Sequence, residues 1–553
     1  MSMEYTVTVE NAGDIARLLN DIPDGSRVVF EPGEYHFHPK QAVIRDYCIS
    51  NNTSGPKNVI FPIIGKKEIE IDAHGAQFVF HGEVVPFVVE KSRKILLKNF
   101  SVDWVRPFYS QGKILSANHE SVVIEIDSEA YPYRIENQVM VFEGEGWESS
   151  FYEGIYEVDP RTRASAYLSG DGLGAGFVSD LKAEDLGEGR VCLKGSFRRI
   201  AQAGNILILR HYRRLCPGIH LRNSSDVQIE QVALYHAGAM GIIAQFCENI
   251  TVQDCSVTPS GDRLFSTTVD ATHFVNCRGQ IVIDRCLFEN QLDDAVNIHG
   301  IYLRITRIID LKTIVAERGH PEQYGVAVGF DGDRLNVLHS ETLQLYTSAT
   351  IREVEYIDEQ FVKIAFCESC DGLTTGRILE NMSWVPDVRI QNCVIRRNRA
   401  RGILLTTPGI VRIEKNRIEA AGACIKISGD ANSWFESGAV RDVLIKNNLF
   451  GESCYGPPSW GRAVIDIDPE VRTDSAGPFH QNIRIEQNEF VTFDVGILYA
   501  RCAGNLQFSH NTVRRTAGYP MTNRMFAPFF WENCSEIAVH DNVLPPDAES
   551  AGV

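Results

Sequence analysis

The sequence predicts an all-β chain, a right-handed parallel β-helix with two inserted antiparallel β-barrel-like domains. Three observations carry this. A short strand motif recurs along the chain. Its copies lie 23 residues apart or at longer intervals. Two stretches between copies break the pattern with strands of another kind.

The motif reads apolar-x-apolar-x-polar, then Cys, Asn or an apolar residue. Copies end at Phe100, Val232, Cys255, Cys286, Cys393, Asn416, Asn448, Asn488, Asn511 and Asn542. Val232 to Cys255, Cys393 to Asn416 and Asn488 to Asn511 are each 23 residues, and other intervals are 31, 32 and 40. The longer intervals read as the same coil with longer loops. Alternation with period two makes each copy a strand with one face inward. A βαβ unit does not fit, because 23 residues cannot hold a strand and its crossover helix. A leucine-rich repeat is excluded by the missing leucine ladder. Stacked coils remain, with the terminal Asn and Cys expected in columns about 4.8 Å per rung.

In chain order, 1–107 read as N-terminal coils, and 108–208 as an antiparallel β insertion containing SVVIEID from Ser121. Residues 209–302 are coils carrying the candidate catalytic residues. A second antiparallel insertion, 303–385, contains FVKIAF from Phe361, and 386–553 are C-terminal coils. The run GDGLGAG from Gly170 lacks the G-x-G-x-x-G spacing of a phosphate loop and reads as a tight turn.

The net charge of -18 opposes nucleic acid and acidic membrane surfaces, and fits a polyanionic substrate poorly. No run of 18 apolar residues is present to form a transmembrane helix. The start, MSMEYTVTVENAGD, lacks the features of a signal peptide. The expectation is a cytoplasmic protein as written, secreted or periplasmic if a signal was trimmed. The 14 cysteines include several at one repeat position, which points to packing. Cys367 and Cys370 form a C-x-x-C with no second pair, so no zinc site is expected.

The chemistry concentrates in 269–300. Asp270 and Asp294 are 24 residues apart, about one coil, and Asp293 adjoins Asp294. Stacking brings three carboxylates together, with His273 and His299 nearby. Crowded like charges raise at least one carboxyl pKa, so one group can protonate a leaving oxygen while another activates water. Carboxyls about 6.5–9.5 Å apart indicate inversion and about 5 Å retention, which leaves the outcome open. Neighbouring strand residues point to opposite faces, so Asp293 and Asp294 converge only if the backbone bends between them. The plainer alternative, an Asp-Asp turn or calcium site, loses ground once Asp270 stacks beside the pair.

At these residues the chain resembles glycoside hydrolase family 110, α-galactosidases that remove terminal α-1,3-linked galactose, including that of blood group B. The resemblance rests on DATHFVNCRG from Asp270, QLDDAVNIHG from Gln291, FSVDWVRPFYSQG from Phe100 and WFESG from Trp434. It implies an inverting exo-hydrolase with no metal and no cofactor, Asp293 as general acid and Asp270 and Asp294 as general bases. It also leaves room for a homodimer. The expected partner is a glycan with terminal α-galactose. Candidate substrate-binding residues are His273, Arg278, His299, Trp434 and Glu436, with Tyr455 and Trp460 weaker. A polygalacturonase-like hydrolase of family 28 shares the aspartate order, but Arg304-Ile305-Thr306 lacks that family's lysine. A lyase or epimerase would need calcium or a basic cluster. A carbohydrate-binding β-helix is the non-enzymatic alternative.

Overall fold

The computed structural model describes residues 3–150, 153–175, 180–472, 477–522 and 524–546. Its body is a parallel β-helix whose coils present three faces. The motif strands form the first face, among them Glu248–Gln253, Arg278–Asp284, Pro386–Gln391 and Ile410–Glu414. They pair in parallel, so that Ile250, Ile281, Val388 and Val411 stand in one column. All four are buried, as the alternation requires.

The turn from the first to the second face is built the same way in every coil from Asp254 onward. A residue with positive φ (Asp254, Arg285, Asn392, Lys415, Asn447, Gln487, His510, Asp541) precedes the Cys or Asn that closes the motif. The left-handed residue turns the chain, and the next side chain points inward. Asn416, Asn448, Asn488, Asn511 and Asn542 thereby form a hydrogen-bonded column. The backbone N–H of each of the first four donates to the next Asn side-chain oxygen at 2.9 Å. These bonds satisfy polar groups that the turn would otherwise bury unpaired.

The third face carries short strands, including Thr272–Val275, Ile403–Leu405 and Ile425–Ile427. Strand Val296–Asp310 belongs to two units. Its start pairs in parallel with Thr272–Val275 and Ile403–Leu405, and its remainder pairs antiparallel in a barrel. That second barrel also contains Thr313–Arg318, Arg334–Leu338, Leu345–Tyr356, Phe361–Phe366 and Ile378–Asn381 around its own apolar core. The first barrel is a seven-stranded antiparallel sheet drawn from residues between Ser110 and Arg210, with a three-stranded sheet beside it. Helix Ile15–Asp21 buries Ile15 and Leu19 in the coil core near the N-terminal end, where the first coil lacks a preceding neighbour. In the run from Gly170, Asp171–Gly174 forms a 3-10 turn, and Gly176 lies outside the described residues.

Candidate active site

The site grows from the turn that leads into the third face. Thr272, Val296 and Ile403 are register partners on consecutive rungs. Asp270, Asp294 and Arg401 each lie two residues earlier in their coils and therefore stack. The backbone N–H of Asp294 donates to Asp270 Oδ1 at 2.9 Å. The backbone N–H and Nε of Arg401 donate to Asp294 Oδ1 at 2.8 Å, and its Nη2 donates to Oδ2 at 2.8 Å. Gly402 lets the following coil pack closely against this one, since a Cβ there would lie 2.5 Å from the Cys424 carbonyl oxygen.

The chain bends at Leu292 and Asp293 before the strand begins, which resolves the face problem of two adjacent aspartates. Asp294 turns under the coil while Asp293 turns outward. Side-chain exposure is 1% for Asp294, 4% for Asp270 and 16% for Asp293. Asp293 faces Arg399 Nη2 at 3.4 Å, Arg401 Nη2 at 3.8 Å and Arg214 Nη2 at 3.9 Å. Burial would raise its pKa, but the charges of Arg399, Arg401, Arg214 and Arg210 outweigh it and hold Asp293 below the usual carboxylate range. Burial first, then the charge of Asp293, pushes Asp270 well above that range. Burial also lifts Asp294 to about 7 despite the Arg401 pair.

These groups line a cavity of about 460 Å³, within the size range of small-ligand sites. Barrel one contributes Glu153 and Asp171 to its wall. Asp171 holds Arg399 at 2.6 Å, and Glu153 holds Arg210 at 2.9 Å. The outward residues His273, Asn297, Leu404 and Lys426 form one column across the third face and give the cavity its floor. Oxygens of Asp270, Asp293 and Asp294 lie within 4.8 Å of one another. Those of Asp270 and Asp294 already accept from backbone N–H and Arg401, and Asp270 Oδ2 shares a hydrogen bond with His273, so the donor set does not fit a resident cation.

His273, Trp434 and Glu436 line the cavity with the aspartates. Trp434 stacks on His320 of the second barrel at 4.3 Å, and Glu436 accepts from Asn51 Nδ2 at 3.2 Å. His299 lies behind His273, fully buried. Trp460 lines the opposite wall under Arg399, whereas Tyr455 packs in an apolar cluster behind it.

Arg278 does not join the site. It begins the first-face strand Arg278–Asp284, past the corner at Asn276 (φ 45°), and there pairs with Glu248 at 2.8 Å and covers Trp384. The corner rotates it away from residues only a few positions earlier.

The arginines were missed in the sequence, although a signal existed. Asp294 follows Cys286 by eight residues, and Arg401 follows Cys393 by the same eight. The cysteine column therefore carries register across the second insertion.

Stacked carboxylates at the floor of a polar cavity on a parallel β-helix define the frame of a glycoside hydrolase, an enzyme that cuts sugar–oxygen bonds. Two family models match the insertions, GLAA-B beta-barrel domain I over residues 110–207 and GLAA-B beta-barrel domain II over 313–372. An Alpha-1,3-galactosidase A of Shewanella woodyi is 34% identical over 94% of this chain and 85% of its own. An Alpha-1,3-galactosidase B of Bacteroides thetaiotaomicron is 35% identical over 95% of this chain and 86% of its own. The family 28 exopolygalacturonase of Yersinia enterocolitica aligns over 99% of this chain and 79% of its own, with a TM-score of 0.42 and 11% identity. The chain belongs to the α-1,3-galactosidases of glycoside hydrolase family 110.

Proposed function

We propose that this enzyme removes terminal α-1,3-linked galactose from glycans with inversion at the anomeric carbon. The observation that carries the reading is Asp293 projecting into the cavity beside the buried, stacked Asp270 and Asp294. The names of its relatives supply the sugar and the linkage.

In this reaction Asp293, the most exposed of the three cavity-lining carboxyls, gives a proton to the glycosidic oxygen. Asp270 and Asp294 act as bases toward a water on the opposite face of the ring. The C1–O bond breaks, the leaving oxygen takes the proton, and the water oxygen bonds to C1 as its proton passes to a base. β-Galactose is released. Arg399, Arg401 and Arg214 surround Asp293 and can also bond sugar hydroxyls, with Trp434 and Trp460 as apolar walls.

One observation favours a second reading. Asp293 is held ionised by its arginines. That suits retention, with Asp293 as nucleophile and a protonated Asp270 or Asp294 as acid.

Proton NMR of the first galactose released from Galα1,3Gal separates the two. Early β-galactose supports inversion, and early α-galactose supports retention. No release from this disaccharide or from a branched blood-group B trisaccharide would overturn the proposed substrate.

A further inference from the structure

We propose that His273 and His299 form, with Asp270, a store for one proton behind the reacting carboxylates. Its catalytic meaning rests on the hydrolase reading above.

Three contacts run in series. Asp270 Oδ2 lies 2.7 Å from His273 Nδ1, His273 Nε2 lies 2.8 Å from His299 Nε2, and His299 Nδ1 lies 2.7 Å from the Gly300 carbonyl oxygen. Every atom in these contacts presents a lone pair when it carries no proton, so each contact needs one hydrogen. Two neutral imidazoles supply one each. The third hydrogen is an additional proton, and the geometry holds a place for it.

That proton can occupy three positions while the heavy atoms stay in place. On Asp270, both rings are neutral, with His299 protonated at Nδ1 and His273 at Nε2. On His273, Asp270 is a carboxylate beside an imidazolium. On His299, His273 donates through Nδ1 to Asp270, and the positive ring has Glu436 Oε1 at 3.5 Å from its Nε2. The rings stand perpendicular at 4.9 Å and are buried, which shields the chain from solvent.

The sequence places these groups by register. His273 faces outward on Thr272–Val275, and His299 lies opposite Val275 on the next rung. Around them stand Asp293, Asp294, Arg214, Arg401 and Glu436, all of which line the cavity. Burial lowers His273 to about 4 and raises Asp270, which favours the carboxyl end for the proton in the empty site.

The store governs when Asp270 can act as a base. Asp270 Oδ1 accepts from Asp294 N–H, and Oδ2 faces His273, so its protonation follows the imidazoles. With the proton moved to His299, Asp270 is a carboxylate able to take the proton of the attacking water as that oxygen bonds to C1. Return of the stored proton then requires Asp270 to release its own to solvent. At alkaline pH the store empties, and one of the three contacts is left with two lone pairs facing each other across 2.7–2.8 Å.

The test has two parts. Imidazole ¹⁵N NMR of the whole, substrate-free enzyme should show His273 protonated at Nε2 and His299 at Nδ1, or one of them as imidazolium. Both rings neutral and protonated only at Nδ1 would overturn the store, whatever the enzyme hydrolyses. The second part is the pH profile of kcat/KM on Galα1,3Gal. His273→Gln supplies a permanent amide donor without a titrating proton, and His299→Gln breaks the chain one step later. Each should move the alkaline limb by at least one pH unit, about tenfold in rate on that limb. A uniform loss with the limb unmoved would reduce the histidines to packing. Failure of hydrolysis with the expected ring protonation would instead count against the substrate.

Discussion

Replacing Arg401 with glutamine withdraws both side-chain hydrogen bonds that clasp Asp294 and leaves the backbone N–H bond in place. Breaking a buried pair by removing one partner costs about 3–5 kcal/mol when the remaining charge has no outlet. Here the outlet is a proton. Burial already lifts the Asp294 carboxyl to about 7 in the fold, against roughly 3.9 in an unfolded chain. An acid raised on folding binds more protons folded than unfolded between those values, so its contribution to stability falls as pH rises through the folded pKa. At pH 5.5 Asp294 is neutral in both proteins and the variant should melt close to wild type. At pH 8 wild type holds an ionised, paired carboxylate, whereas the variant can keep its carboxyl neutral, so its extra loss is set by the one pH unit above the wild-type value, about 1.4 kcal/mol. For 553 residues, an unfolding entropy of about 2 cal/mol/K per residue turns that loss into a fall of about 1 °C in Tm. Scanning calorimetry at the two pH values reads the difference. An equal fall at both, or none at pH 8, would refute the account of Asp294 as a carboxylate ionised through Arg401.

Asp293→Asn should lower kcat on Galα1,3Gal by about 10²–10⁴. An aryl α-galactoside whose leaving group needs no proton should recover most of that loss, and an equal deficit on both substrates would remove Asp293 as the acid. Dialysis against EDTA should leave kcat unchanged, because Asp270 and Asp294 oxygens already accept from arginine and backbone donors and Asp270 is hydrogen-bonded to His273; a fall restored by calcium would show that they hold a cation. Asn448→Ala removes donors to the Ile413 carbonyl and Asn488 Oδ1 and the acceptor for Asn416. With about 2–4 kcal/mol lost through stranded polar groups, its Tm should drop by a few degrees while kcat holds, and an unchanged melt would make the column passive.

The fold was legible because a coil repeats its physics. Alternation marked the first-face strands, and the terminal Cys and Asn marked the corner that follows them. The third face stayed hidden because strands such as Ile403–Leu405 are too short to show a period. The N-terminal helix escaped notice because it occurs once and covers the first coil. Asp270 and Asp294 could be paired because their 24-residue spacing is almost one unadorned coil. Arg401 could not be paired by proximity, since the second barrel lies between it and Asp294. Arg214 and Asp171 reach the cavity from outside the motif strands. Arg278 looked close in the chain, but Asn276 turns it onto another face.

Cys255, Cys286 and Cys393 occupy successive turns, each Sγ directed at a backbone carbonyl inside the coil. All 14 cysteines are free thiols; Cys367 is exposed, and Cys48 and Cys534 are half-buried. A thiol-labelling reagent meets Cys367 at once and reaches the three inner sulfurs only when their turns part. Because each coil stacks directly on its neighbours, the order in which the inner thiols react would report the end from which the stack unzips. The column is therefore a set of chemical clocks, spaced one turn apart along the axis.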